Sequence, residues 1–341
     1  MRAVLMEKGK LWVENIKTPQ PGRGEVLVST KACGICGSDL HAAKHTSDFV
    51  QTSIETGGAF KLTTFDPVVL GHEFCAEVVE HGPKTDKTHA VGQLVCSIPV
   101  RLQSDRNHLA VGYSTETPGG FAEHMVLSER MLLPVPTGTP ATAAALTEPL
   151  AVGYHAVMKA QLQGDEAVLV LGCGPVGLAV ITALKAQAMA PIVAADFSSG
   201  RRTFATAQGA NWVCDPATED PFQAPDLRKR KLVVFECVGV PGVIDDIFVK
   251  APQDTRIVVV GVCLQTDHMR PLIAINKELS LQFVLGYTPD EFARSLQAIA
   301  DGTFDVAGLV SHEVGLDDVA ATFTALADPE RYAKVIVNPS L

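Results

Sequence analysis

At 341 residues the chain is too long for one average domain of roughly 100–200 residues and suits two. A composition of 47% hydrophobic and 19% charged residues, with 28 Gly and 21 Pro, excludes a disordered or collagen-like chain. A formal net charge of −10 argues against a nucleic-acid surface, which needs a basic face, so a small molecule is the expected partner.

The first residues, MRAVLMEKGKLWVENI, alternate apolar and polar like an edge strand pair and have no long apolar stretch or cleavage site. No run of 18 apolar residues follows, so no membrane span is expected. Eight scattered cysteines form no disulfide framework and fit a reducing compartment, so a cytoplasmic protein is expected.

From about residue 2 to 135, short runs such as EVLVSTKAC, FCAEVVEHG, VGQLVCSIPV and FAEHMVLS alternate with Gly, Pro and charged turns, which predicts an irregular, mostly β domain. Within it, His45 to Asp66 is polar and without sustained period, and is expected to be a long surface loop. From Gln163 hydrophobic strands alternate with helical stretches: AVLVLG, PVGLAVITALKAQA, PIVAAD, RRTFATAQGA, LVVFECVG and RIVVVGV. That order predicts βαβ units around a doubly wound parallel sheet. After about Gly286, EFARSLQAIADG and AKVIVNP return to the earlier style. The expectation is therefore an α/β protein with one domain of residues 1–148 plus 286–341 and a second of 149–285.

Directly after AVLVL comes Gly172-Cys173-Gly174-Pro175-Val176-Gly177, and the next strand ends at Asp196, nineteen residues past Gly177. The first glycine permits a tight turn, the second lets backbone approach a pyrophosphate, and the third lets helix and strand pack closely, while the helix N-terminus offers free N–H groups. Asp196 can accept both ribose hydroxyls and repels a 2′-phosphate, which favours NAD over NADP. Arg201 and Arg202 follow closely; a phosphate clamp there would soften that preference, but a solvated helix face is the favoured reading.

The first domain also holds Cys33-Gly-Ile-Cys36-Gly-Ser38-Asp39-Leu-His41, Gly71-His72-Glu73 and Glu148-Pro149. A catalytic zinc takes three ligands from sulfur, imidazole or carboxylate and keeps a fourth position open; these segments offer one of each. Alone, Cys33 and Cys36 equally suit a redox CxxC or half of a structural zinc site.

In this order, KACGICGSDLH, VLGHEFCAEVVEHG, TEPLAVGYHAV, VLVLGCGPVGLAV, FECVG and VVVGV resemble the zinc-containing medium-chain dehydrogenases, a family of alcohol, sorbitol, butanediol and threonine dehydrogenases. The resemblance covers nearly the whole chain. It implies a GroES-like catalytic domain with a Rossmann domain, hydride transfer between a secondary alcohol or polyol and NAD, and a homodimer or homotetramer associating near residues 256–285. It implies Cys36 and His72 as zinc ligands, Glu148 as the third, Glu73 as an alternative or neighbouring carboxylate, and Asp39 as the group orienting the histidine ligand. Cys33 matches no ligand position. Ser38 is implied at the substrate oxygen, starting a proton relay through the cofactor ribose to His41.

Two departures stand out. Only Cys75 and Cys96 lie between His72 and Glu148, so a four-cysteine structural zinc lobe is absent, one zinc per chain is expected, and Arg101 to Thr117 should form a metal-free loop with His108 solvated. The 36 positions from Cys36 to His72 exceed the family's usual spacing, and the surplus falls in residues 45–66. Since the resemblance implies a substrate lying between the two domains, close to these strands, Phe49, Phe60 or Phe65 is expected to help wall the pocket. Rival readings are a zinc-free enone or quinone reductase, which the Cys36, His72 and Glu148 set opposes, and a non-catalytic zinc- and nucleotide-binding protein.

Overall fold

The computed structural model describes residues 1–57, 60–103, 108–227, 230–326, 328, 330 and 332–341. The chain divides into two compact units, Met1–Glu148 with Val310–Ala327 and Lys334–Leu341, and Pro149–Leu309 with Asp328–Ala333.

In the first unit the opening residues form an antiparallel hairpin of Arg2–Glu7 and Lys10–Asn15, turned by Lys8 and Gly9 at positive φ. The main sheet is largely antiparallel and runs Val310–Val314, Lys334–Val337, Glu25–Gly34, Glu73–His81, Leu94–Ser97, Leu132–Pro134, with His124–Ser128 paired to Glu25–Gly34. Two register pairs matter for the site: Gly34 faces Glu73, and Ile336 faces Gly34 across the next ladder. The strands Glu25–Gly34 and Glu73–His81 thus bring the two metal-ligand motifs side by side.

Residues 45–66 differ from the expected loop. Thr46–Thr56 is a helix closed by Gly57 in the left-handed region, because Phe49 and Ser53, four residues apart, bury one side of it. The pattern is too short and too rich in Ser and Thr to show as a helical period. Residues 58–59 of this stretch, and 104–107 of the segment that replaces the zinc lobe, lie outside the described residues.

The second unit is built on a six-stranded parallel sheet in the order Trp212–Cys214, Ile192–Ala195, Ala167–Leu171, Leu232–Glu236, Arg256–Val259, Ser280–Phe283. The chain starts in the middle of the sheet, goes to one edge, then returns to build the other, which is the Rossmann order. Strand Leu232–Glu236 is buried throughout, as strands covered on both faces are. Ala167, Leu169, Val193, Val234 and Ile257 pack there with Phe222, Ile247 and Phe248.

The helix Pro289–Ala300 also belongs to the second unit, so the return to the first occurs at Val310 rather than near 286. Its buried side is Phe292, Ser295, Leu296 and Ile299, and Glu291 pairs with His155 at 2.8 Å. Amphipathic spacing shows that a helix has a buried face without naming its partner. Among the described residues no helix is long and apolar enough to cross a membrane.

Candidate active site

Cys36 is the N-cap of helix Gly37–Lys44. Its backbone N–H donates to Asp39 Oδ2 at 2.9 Å, closing a capping box that fixes the first turn. The other Asp39 oxygen, Oδ1, lies 3.4 Å from His72 Nδ1, and Asp39 is fully buried. A single carboxylate therefore ties the loop carrying Cys36 to the ring of His72, leaving His72 Nε2 for another partner. Nδ1 itself lacks an aligned hydrogen-bond partner. Burial opposes the charged ring, but Asp39 and Cys36 outweigh it and hold His72 well above the ordinary histidine range.

Among the described residues, Cys36, His72 and Glu73 converge with one ligand atom each inside 4.8 Å of the others. Glu73 is already engaged: Lys334 Nζ reaches its two oxygens at 2.8 and 2.7 Å and also donates to Ile35 O at 3.1 Å. Gly34 is required there, since a Cβ at that position would lie 2.0 Å from Glu73 Oε2. Glu148, in the first turn of helix Thr147–Lys159, is outside the converging set but close enough to help hold the proton of Lys334. Burial disfavours that charge, yet Glu73, Cys36 and Glu148 together raise the Lys334 pKa.

Sulfur, imidazole and carboxylate donors suit zinc, and the set is small and mostly buried. Cys33 is fully buried, and desolvation, with Asp39 and Glu73 near, pushes its thiol well up. It is a packed thiol. Cys75 and Cys96 face one another across two strands, fully buried and away from any lobe, and His108 is exposed.

Ser38 and His41 stand on the same helix as Cys36, both half-buried. Burial, then His45 and Lys44, lowers the His41 pKa and favours its neutral form. Phe49 and Phe60 pack on Tyr113 with ring centroids 5.5 and 4.9 Å away, whereas Phe65 is 79% exposed and takes no part. Tyr113, not anticipated from the sequence, places its hydroxyl 2.8 Å from Ser38 Oγ and 3.1 Å from Asp39 Oδ1.

In the second unit Gly172 has φ +88, and a Cβ on Gly177 would lie 1.9 Å from Gly172 O. Around Gly174 nothing approaches a Cβ position closer than the Arg201 guanidinium at 3.9 Å, so the cradle is open. Pro175 and Val176 begin helix Pro175–Ala186, aiming its free N–H groups at that space. The Asp196 carboxylate accepts from Cys173 N and Ser198 N, both at 2.8 Å, which locks it beside the glycine turn. Arg201 Nη1 stands 3.9 Å from Asp196, with Nε buried and unpaired. These groups fit a dinucleotide: open glycine backbone for phosphates, a fixed carboxylate for ribose and a guanidinium alongside.

Residues 22–137 match the alcohol dehydrogenase GroES-like domain family, and residues 175–301 match the zinc-binding dehydrogenase family. The chain is 31% identical over 344 residues to (R,R)-butanediol dehydrogenase of Bacillus subtilis, covering 96% of each. It is 26% identical over 340 residues to L-threonine 3-dehydrogenase of Rhizobium rhizogenes, covering 96% of this chain and 95% of that one. Its fold is similar to crystal structures of 2R,3R-butanediol dehydrogenase from Bacillus subtilis (TM-score 0.85, 29% identity, 99% of each chain). It is similar also to a zinc-binding dehydrogenase from Sinorhizobium meliloti bound to NADP (TM-score 0.84, 25% identity, 99% of each chain).

Proposed function

Since the chain belongs to the zinc-containing medium-chain dehydrogenases, a family of oxidoreductases, we propose that it is an NAD-linked alcohol dehydrogenase acting on a secondary alcohol, diol or polyol. The observation that carries this reading is the meeting of the Cys36 thiol and the His72 imidazole within 4.8 Å of one another in the first unit, beside the buried carboxylate of Glu73. When bound, zinc supplies a Lewis acid that acidifies a substrate hydroxyl, and the dinucleotide supplies the hydride acceptor.

The chain's own residues supply the rest. Cys36 and His72 are the first two ligands. Glu148 is the third, because the charge of Glu73 is already compensated by Lys334 through both oxygens. Asp39 holds the His72 ring and the Cys36 turn in one arrangement. Ser38 meets the substrate hydroxyl and takes part in moving its proton. His41, kept neutral by burial, accepts a proton nearer solvent. The Asp196 charge beside the ribose position disfavours a 2′-phosphate, so NAD is preferred despite Arg201. One zinc is bound per chain, with no structural zinc.

The relatives' names point to vicinal diols and hydroxy amino acids as the first substrates to try. The second unit leaves Leu272, Ile275, Phe283 and Leu285 between 63 and 86% exposed on helix Pro271–Asn276, on strand Ser280–Phe283 and just after it, which supports a homodimer or homotetramer formed there. We assign the protein to the cytoplasm on its eight free thiols.

The test is reduction of NAD, followed as NADH absorbance, with stereoisomers of 2,3-butanediol, L-threonine, polyols and aryl alcohols. Chelator-sensitive turnover of one class, at least about tenfold faster with NAD than NADP, is expected. Turnover that survives complete metal removal contradicts the reading.

A further inference from the structure

The segment standing where a zinc lobe would be delivers a phenol to the site. Gly112, at φ +83, lies so close to Gly71 that a Cβ would meet Gly71 O at 2.9 Å. Gly119 N, Gly120 N and Phe121 N donate to Val69 O, Gly71 O and Leu70 O, so this segment is laced to the residues just ahead of His72. Tyr113 between them is fixed through its own N–H to Ala110 O and its carbonyl from Lys61 N. It is 3% exposed, its ring clamped by Phe49 and Phe60 and 5.0 Å from the ring of His72. The hydroxyl that results touches Ser38 and Asp39 at once.

A phenol has one proton and two lone pairs, and the Asp39 carboxylate can only accept. With one proton for two acceptors, the phenol has two hydrogen-bond arrangements open to it, and only the second also gives Asp39 Oδ1 a donor. In one, Tyr113 donates to Ser38 Oγ, and the Ser38 proton is free to point at a substrate oxygen. In the other, Tyr113 donates to Asp39 and accepts from Ser38, which leaves a Ser38 lone pair to accept a hydrogen bond from a substrate hydroxyl. Burial, reinforced by Asp39 and Cys36, pushes the Tyr113 phenol well up.

We propose that Tyr113 is a positioning residue whose hydroxyl, by turning between Ser38 and Asp39, decides whether Ser38 presents a proton or a lone pair to the substrate oxygen. Alcohol oxidation needs the lone pair first; carbonyl reduction needs the proton. The proposal rests on the role given to Ser38 under Proposed function.

The test compares Tyr113→Phe, Ser38→Ala and the double variant, all zinc-loaded, because Phe keeps the aromatic packing and removes only the hydroxyl. Steady-state rates in both directions are read beside zinc content and melting temperature. Ligand-observed NMR titrations with 2-butanol and 2-butanone give a second readout that needs no turnover. Tyr113→Phe should keep its zinc, lose about three- to tenfold in kcat in both directions, and bind both ligands at least about threefold more weakly. In the Ser38→Ala background the same change should have no further effect, since the two hydroxyls act as one unit. Unchanged rates and affinities, or a loss of equal size without Ser38, overturn the proposal. So does a loss that tracks zinc content, which would assign the hydroxyl to the support of the metal site through Asp39. If the wild-type chain oxidises no alcohol, the reading under Proposed function fails, and the titrations still decide this one.

Discussion

The glycine turn of the second unit and the thiol–imidazole–carboxylate cluster of the first are built on opposite principles. In the glycine turn, Gly172 to Asp196, the glycines and the carboxylate come from a single βαβ stretch, and its requirements are steric: space above Gly174, none beside Gly177. The cluster is assembled from residues 36, 39, 72, 73, 113, 148 and 334, and its requirements are electrostatic. One site is specified by what is missing from the backbone, the other by charges that must be compensated after burial. Substitutions at the two should therefore fail differently, and each unit should lose its own ligand without the other's.

The largest expected effect is on the electrostatic side. Lys334→Met strands the buried Glu73 carboxylate, which should cost about 3–5 kcal/mol in denaturant unfolding of the metal-free chain. Adding Glu73→Gln should restore more than half of that loss. A cost below about 1 kcal/mol for Lys334→Met would show that the pair is not an electrostatic unit. Next is Gly177→Ala, which forces a Cβ against Gly172 O. About 1–3 kcal/mol of overpacking and at least tenfold weaker NADH binding by fluorescence titration should follow, with zinc content unchanged. Normal NADH affinity would break the steric half of the contrast. The smallest effect is at Phe60, 38% exposed at the rim of the Tyr113 cluster. Phe60→Ala should shift the kcat/KM ratio between a small and a large alcohol by less than about tenfold, leaving zinc, NADH binding and melting temperature alone.

The same contrast governs how much could be read in advance. The parallel sheet, the glycine turn and Asp196 were legible because their signals are local: apolar strands, then glycines at fixed offsets, then an acidic strand end. Cys36, His72 and Glu73 are brought side by side, while Glu148, the third ligand the resemblance implies, lies outside that converging set and within electrostatic reach of Lys334. Lys334 itself was invisible, being 261 positions from Glu73 in an otherwise apolar strand. Tyr113 was hidden likewise, 75 positions from Ser38 in a turn-rich segment with no period. The helix Thr46–Thr56 was missed because its buried face is a single Phe with small polar neighbours. The place of helix Pro289–Ala300 in the second unit is not legible either, since periodicity names a face and not what covers it.

The most direct measurement is metal analysis with X-ray absorption on chain purified without chelators, alongside Cys36→Ser, with NADH affinity measured on both. The wild type should hold one zinc per chain with one sulfur ligand at about 2.3 Å, and Cys36→Ser should lose that zinc while binding NADH within about twofold of normal. A wild-type chain free of zinc, or zinc retained without its sulfur neighbour in Cys36→Ser at full occupancy, would contradict the account.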